Sequence, residues 1–229
     1  MLSEFYNNPS RYAYTFQHFV FMTRLLQAKE PRTNDLSMRI VERSVFSDKM
    51  IFVEAAHEGG WMSDLELSIF ESWFSPTVKV SVQLLHFRAC FVYNLVFQAF
   101  PELVPDGFIY LRTSPETCMQ RMQGRARGEE TGVSLHYLKT LHEKHETWLH
   151  PRKSGSKQSS PSFVDALGAS IIYIRDARVP AIENTPVLVL DFDSDSDTRY
   201  SELEKDRLWS IVETFASEVR EQKQSQSRQ

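Results

Sequence analysis

The sequence predicts an α/β fold, a parallel sheet flanked by helices. Three observations carry this. Residues 38–41, 107–111 and 186–190 are apolar runs with the length of buried strands. Longer segments of helical periodicity separate them. With 41% hydrophobic and 24% charged residues, the 229-residue chain has the material to bury a core. The length alone allows one domain or two small ones.

Each element has its own signal. Pro9 and Ser10 open a helix predicted to reach about Gln27, with Phe16, Phe19, Val20 and Leu26 at helical spacing. Residues 38–41 read as a strand whose polar residues Glu42, Arg43 and Ser44 emerge at its carboxyl end. A helix follows over 47–57, stopped by Gly59 and Gly60. Ser63 and Glu66 have capping-box spacing and start a helix through Trp73, which Pro76 interrupts. A further helix leads to Gln98. Its stretch 80–100 carries Gln83, His86, Arg88, Asn94 and Gln98, too polar for a membrane span.

After the strand at 107–111, Ser114, Pro115 and Glu116 start a helix. It carries Cys118, Met119 and Met122 inward and Arg121, Arg125 and Arg127 outward. The next helix covers 135–149, and residues 151–162, rich in Ser, Lys and Pro, read as a solvated loop. The strand at 186–190 enters the acidic turn 191–197. A closing helix runs from 201 to about 220, and the polar residues 221–229 are expected to be a disordered tail.

Composition excludes several classes of partner. A formal net charge of −4 gives no whole-chain drive toward nucleic acid or an anionic membrane. Two cysteines, Cys90 and Cys118, form no disulfide framework and fit a reducing compartment. The N-terminus shows neither a secretory signal nor an Arg-rich transit segment. His142 and His145 stand three apart, where a zinc helix needs four. Asp193, Asp195, Asp197 and Glu204 mimic a calcium loop, but Thr198 stands where its turn requires Gly. None of the eight glycines falls in a phosphate-loop or dinucleotide fingerprint.

Two charged groups carry open readings. Arg121, Arg125 and Arg127, followed by Glu129 and Glu130, are either a mixed-charge helix surface or a guanidinium clamp for phosphate. Glu42 and Arg43 are either a structural ion pair or a catalytic pair at the ligand-binding edge of a parallel sheet.

Read together, these blocks resemble the deoxynucleoside kinases. The first holds Tyr6, Pro9, Arg11, Tyr12, Tyr14, Thr15, Phe16 and Gln17, and the second runs from Glu42 to Asp48. The third is Asp106 to Leu111, and the fourth Ser114 to Cys118. Then come Arg125, Arg127, Glu129 and Glu130; Leu135, Tyr137 and Leu138; and His145, Glu146, Trp148 and Leu149. Residues 186–191 close the series, in family order.

The resemblance implies a P-loop kinase-like fold and a role for each matched residue. Gln17 would read the nucleobase edge, with Arg24 and Asp48 as base-discriminating positions. Tyr6 and Glu130 would bind the sugar 3′-hydroxyl. Glu42 would lie near Mg²⁺ as its carboxylate, and Arg43 near the 5′-hydroxyl. Arg121, Arg125 and Arg127 would neutralise charge on the transferred phosphoryl group. Arg121, Arg125, Asp191 and Phe192 would hold ATP. Arg24 and Asp48 are expected to bridge each other, because buried charges survive when paired.

The kinase domain is expected over 1–220, with insertions near 75–91 and 151–183. The family's phosphate loop and general-base Glu would precede Tyr6, so the sheet is expected to be N-terminally truncated. The 229 residues alone are then expected to have negligible kinase activity and low solubility. The implied function is transfer of the ATP γ-phosphate to the 5′-hydroxyl of a deoxynucleoside, deoxycytidine or a purine preferred. The alternative is an inactive or truncated family member that binds nucleoside or pairs with an active subunit. The resemblance further implies a homodimer, cytoplasmic or mitochondrial, without nucleic-acid or membrane partners.

Overall fold

A computed structural model describes residues 1–28, 38–83, 103–151, 169–193 and 202–226. The expected helix beyond Gln83, most of the loop at 151–162 and the acidic turn beyond Asp193 lie outside the described residues. The chain divides into a helical unit, Met1–Pro105 with Arg121–His145, and a strand unit, Asp106–Gln120 with Glu146–Gln229.

The helical unit opens with α1 (Leu2–Asn7) and α2 (Pro9–Ala28). Pro9 takes the first helical position of α2, where its missing N–H is no loss. Ala13, Gln17, Phe21 and Leu25, four apart, form one buried stripe along α2. α3 (Val45–Ser47), a π-helical stretch Asp48–Val53 and α4 (Glu54–Glu58) run on as one helical segment. Ser44 and Ser47 cap it reciprocally: the Ser44 N–H donates to Ser47 Oγ at 2.8 Å, and the Ser47 N–H to Ser44 Oγ at 3.3 Å. This is the helix expected at 47–57.

Its turn ends at Gly60, whose φ of +70° suits glycine. α5 (Asp64–Gln83) then starts on the anticipated capping box. Glu66 Oε2 accepts from the Ser63 N–H at 2.8 Å, and Ser63 Oγ accepts from the Glu66 N–H at 3.3 Å. α5 corrects one expectation, because it continues through Pro76. A proline inside a helix costs about 3 kcal/mol, and burial of Phe74, Thr77 and Val78 around it offsets this. Phe21, Phe46, Phe70 and Phe74 form the aromatic core, with Phe21–Phe70 centroids 5.5 Å apart and Phe46–Phe74 6.0 Å.

Residues 38–41 correct another: they are not a strand. Ile40 and Val41 are exposed, and no ladder partner pairs with the run among the described residues. An apolar run becomes a strand only where another backbone satisfies its N–H and C=O groups.

The strand unit holds β1 (Phe108–Arg112), β2 (Ser170–Tyr173) and β3 (Pro186–Asp191), in the order β1-β3-β2. β1 pairs with β3 in parallel, from Phe108↔Val187 to Arg112↔Asp191. β2 pairs with β3 antiparallel, so this α/β sheet is mixed rather than wholly parallel. β2 lies in the segment 151–183 that was expected to be an insertion. As the central strand, β3 buries every residue from Pro186 to Leu190, the continuous apolar run that foretold it.

Three longer helices complete the chain: α6 (Pro115–Arg125), α7 (Leu135–Leu149) and α8 (Glu202–Gln226). α6 keeps Cys118, Met119 and Met122 half-buried and Arg121 and Arg125 exposed, as its periodicity predicts. α8 sets Ile211 and Phe215 against Leu188, Leu190 and Ala169. Gly107 permits this approach, since a Cβ there would stand 3.0 Å from the Phe215 ring. α8 also runs through most of the stretch 221–229 that was expected to be disordered.

Candidate functional site

In the helical unit, Gln17 is buried at 3% exposure. Its place in the buried α2 stripe fixes it. Two turns along the same helix, Arg24 Nε meets Asp48 Oδ2 at 3.3 Å, the bridge anticipated from the sequence. Asp48 opens the π-helical stretch and is 2% exposed. Burial pushes its carboxyl above the usual carboxylate range, and Arg24 and Arg43 pull against that rise.

Arg43 is the electrostatic centre of this group. It acts on Asp48, on the Tyr6 phenol and on the Tyr137 phenol. Its guanidinium lies 4.4 Å from the Phe52 ring centroid, a cation–π contact. Its backbone is left-handed, with φ 63°, rather than extended at a strand end. A non-glycine residue there carries strain of order 1–3 kcal/mol, a feature that clusters at functional sites. Neighbouring Glu42 is exposed and makes no ion pair among the described residues.

The segment after α6 packs against α1 and brings a second group of charges. Ala126 is also left-handed, φ 51°, and ends the helix. The chain then turns through the 3₁₀ segment Gly128–Glu130, and both Glu130 carboxylate oxygens accept from Arg125 Nη2, at 2.8 and 2.7 Å. Arg125 and Glu130, assigned separate roles by resemblance, are thus joined. Arg127 caps the 3₁₀ segment and is exposed, as is Arg121. Gly132 lets this segment press on α1: a Cβ there would stand 3.3 Å from the Tyr6 carbonyl. Burial raises the Tyr6 phenol; Arg43 lowers it and Glu130 raises it further.

Asp191 and Phe192 belong to the strand unit. Asp191 ends β3 and accepts from the Asp193 N–H at 3.0 Å, and Asp193 accepts from the Ser114 N–H at 2.9 Å. Arg112 Nη1 stands 3.9 Å from Asp191. The hub of this unit is Glu146. Its Oε1 accepts from Tyr110 Oη and Arg112 Nε, each at 3.0 Å, and its Oε2 lies 3.2 Å from His150 Nδ1. Burial pushes the Glu146 carboxyl up, but these partners outweigh it and hold it below its ordinary value. A cavity of about 630 Å³ in this unit, lined by Tyr173, Arg175, Asn184 and Glu218, contains none of the residues singled out by sequence.

A family model described as deoxynucleoside kinase matches residues 1–217. The chain belongs to the deoxynucleoside kinase family. A probable deoxycytidine kinase of fowlpox virus is 39% identical over 149 residues, 65% of this chain and 55% of the relative. Deoxycytidine kinase 2 of Gallus gallus is 36% identical over 66% of this chain and 52% of its own length. The mitochondrial deoxyguanosine kinase of Xenopus laevis is 30% identical over 85% and 61%. The chain therefore spans about half to three fifths of these relatives. The family is a P-loop kinase fold, and the mixed sheet with flanking helices agrees with it.

Role assignment from the sequence missed Tyr137, Trp61, Phe52 and Glu146. Tyr137 and Glu146 stand inside blocks that carried the resemblance, and Trp61 follows a Gly-Gly turn. Only the folded chain shows what they touch.

Proposed function

We propose that the helical unit is the acceptor side of a deoxynucleoside kinase, which transfers the γ-phosphate of ATP to a deoxynucleoside 5′-hydroxyl. The observation that carries this is the buried Gln17 side chain on the same helix as the Arg24–Asp48 bridge. It offers a paired donor and acceptor, the arrangement that suits a nucleobase edge. Tyr6 and Glu130 would take the 3′-hydroxyl, and Arg43 the 5′ end.

Glu42 fits a magnesium role as one free carboxylate, because Mg²⁺ takes one or two protein carboxylates and completes its shell with water and phosphate oxygens. Bound there, Mg²⁺ would neutralise phosphate charge. Arg121, Arg125 and Arg127 would supply cations for the same charge, and Asp191 and Phe192 would take the donor base. We further propose a homodimer, in the cytoplasm or mitochondrion, without nucleic-acid or membrane partners. Among the described residues no helix is long and apolar enough to cross a membrane. The family match favours this kinase reading over a non-catalytic one.

Calorimetric titration with deoxycytidine tests the acceptor site directly. The expected result is saturable binding, weakened about tenfold or more in Gln17→Leu, because the base loses paired hydrogen bonds in a buried site. Equal binding by both proteins would overturn the assignment.

A further inference from the structure

Trp61 has no place among the roles above, yet its ring touches Phe5 and Tyr137 beside the candidate site. It stands just after Gly60, and two backbone bonds fix it: the Trp61 and Met62 N–H groups both donate to the Ala56 carbonyl, at 2.8 and 3.2 Å. The indole is half-buried. It packs on the Tyr137 ring with centroids 5.0 Å apart and meets Phe5 edge-on at 6.1 Å. Phe5 in turn stacks on Phe16 at 4.8 Å, with ring planes 9° apart. Phe16 immediately precedes Gln17, Phe5 immediately precedes Tyr6, and Tyr137 shares an electrostatic neighbourhood with Tyr6 and Arg43.

A contiguous row of rings, Phe16–Phe5–Trp61–Tyr137, therefore runs from the base-reading glutamine to the sugar-side phenols. Aromatic packing of this kind is rigid, because interiors are close-packed and rings have few rotamers. We propose that Trp61 is a positioning residue that sets the spacing between the base-reading and sugar-reading groups. Through Phe5 and Tyr137 it holds Tyr6 where the 3′-hydroxyl of a deoxynucleoside meets it while Gln17 holds the base. This rests on the acceptor reading above. Loss of the indole should therefore harm recognition of the sugar hydroxyl more than recognition of the rest of the nucleoside.

The test compares two probes, deoxycytidine and 2′,3′-dideoxycytidine, which differ only in the 3′-hydroxyl. Both are titrated into the full chain, wild type, Trp61→Phe and Trp61→Leu, with thermal melts recorded for each. Wild type should prefer deoxycytidine by about tenfold or more, the worth of a hydrogen bond to a charged partner. In Trp61→Leu the ratio should fall to within about threefold, and Trp61→Phe should lie between. Parallel weakening of both probes, with the ratio kept, is what a merely structural tryptophan would give and overturns the inference. Should Trp61→Leu lack a cooperative melt, Trp61→Phe decides alone: a lowered ratio supports the inference and an unchanged ratio overturns it. Failure of the wild type to bind either probe overturns the acceptor reading and this inference with it. Wild-type binding with an unchanged variant ratio overturns this inference alone.

Discussion

Asp48 and Arg24 set the terms at the level of single residues. A carboxylate at 2% exposure carries a desolvation cost that one guanidinium at 3.3 Å offsets only in part, since its carboxyl stays raised. A site that keeps such a pair discriminates by what it leaves unsatisfied. On the proposed acceptor reading, Asp48 would accept from an exocyclic amino group and Arg24 would donate to ring acceptors. Cytosine and adenine carry that amino group, and guanine fits by a rearranged pairing. Thymine lacks the amino group and leaves buried polar groups unpaired, a penalty worth up to about 10⁴-fold in favourable cases. The wild-type chain should thus bind deoxycytidine more tightly than thymidine. In the double variant Arg24→Met with Asp48→Ala, the relative affinity for thymidine should rise at least about tenfold. Competition binding with the two nucleosides checks this; thymidine as the better wild-type ligand, or an unmoved ratio, would count against it.

Between elements, the carboxylate of Glu146 ties α7 to the end of β1 by accepting from Tyr110 and Arg112 and lying beside His150. Because its carboxyl is held below its ordinary value, the ionised form stabilises the folded state. That contribution is present above the unfolded carboxylate's value and is lost as pH falls through the folded one. Glu146→Gln should cost about 1–3 kcal/mol near neutrality, because it leaves the arginine and histidine without their charge-assisted acceptor. Melting temperatures should differ most at neutral pH and converge in acid. A gap between the proteins that is constant with pH would refute the role given to the charge.

The same scale explains which elements could be read in advance. β1 and β3 were legible because central strands are continuous apolar runs, and α7 because its periodicity is uninterrupted. α5 passed through Pro76 because tertiary burial of Thr77 and Val78 outweighs the local signal. Residues 38–41 failed as a strand because a strand depends on a partner the local sequence does not name. β2 lay in a stretch that the resemblance marked as an insertion, although Ile171, Ile172 and Tyr173 are good strand formers.

For the molecule as a whole, the candidate site was legible as a set of residue types in family order, and the Arg24–Asp48 bridge followed from the pocket positions that the resemblance implies together with the cost of burying unpaired charge. What was not legible is what the fold adds: the join of Arg125 to Glu130, the left-handed Arg43 backbone and the ring row through Trp61. The ring row depends on residues distant in sequence meeting across helices, and the other two on left-handed turns at Ala126 and Arg43, of which helical periodicity carries no record.

The central claim is that α1, α2, the segment from Arg43 to Val53 and the turn Gly128–Glu130 form one acceptor site. Hydrogen–deuterium exchange with and without saturating deoxycytidine tests this most directly, because binding slows local opening where the ligand contacts the chain. The account predicts slowed exchange in peptides containing Tyr6, Gln17, Arg43 to Asp48 and Glu130, with β2 and α8 unchanged. Protection confined to the strand unit, or none in those four peptides under conditions where deoxycytidine binds, would contradict it.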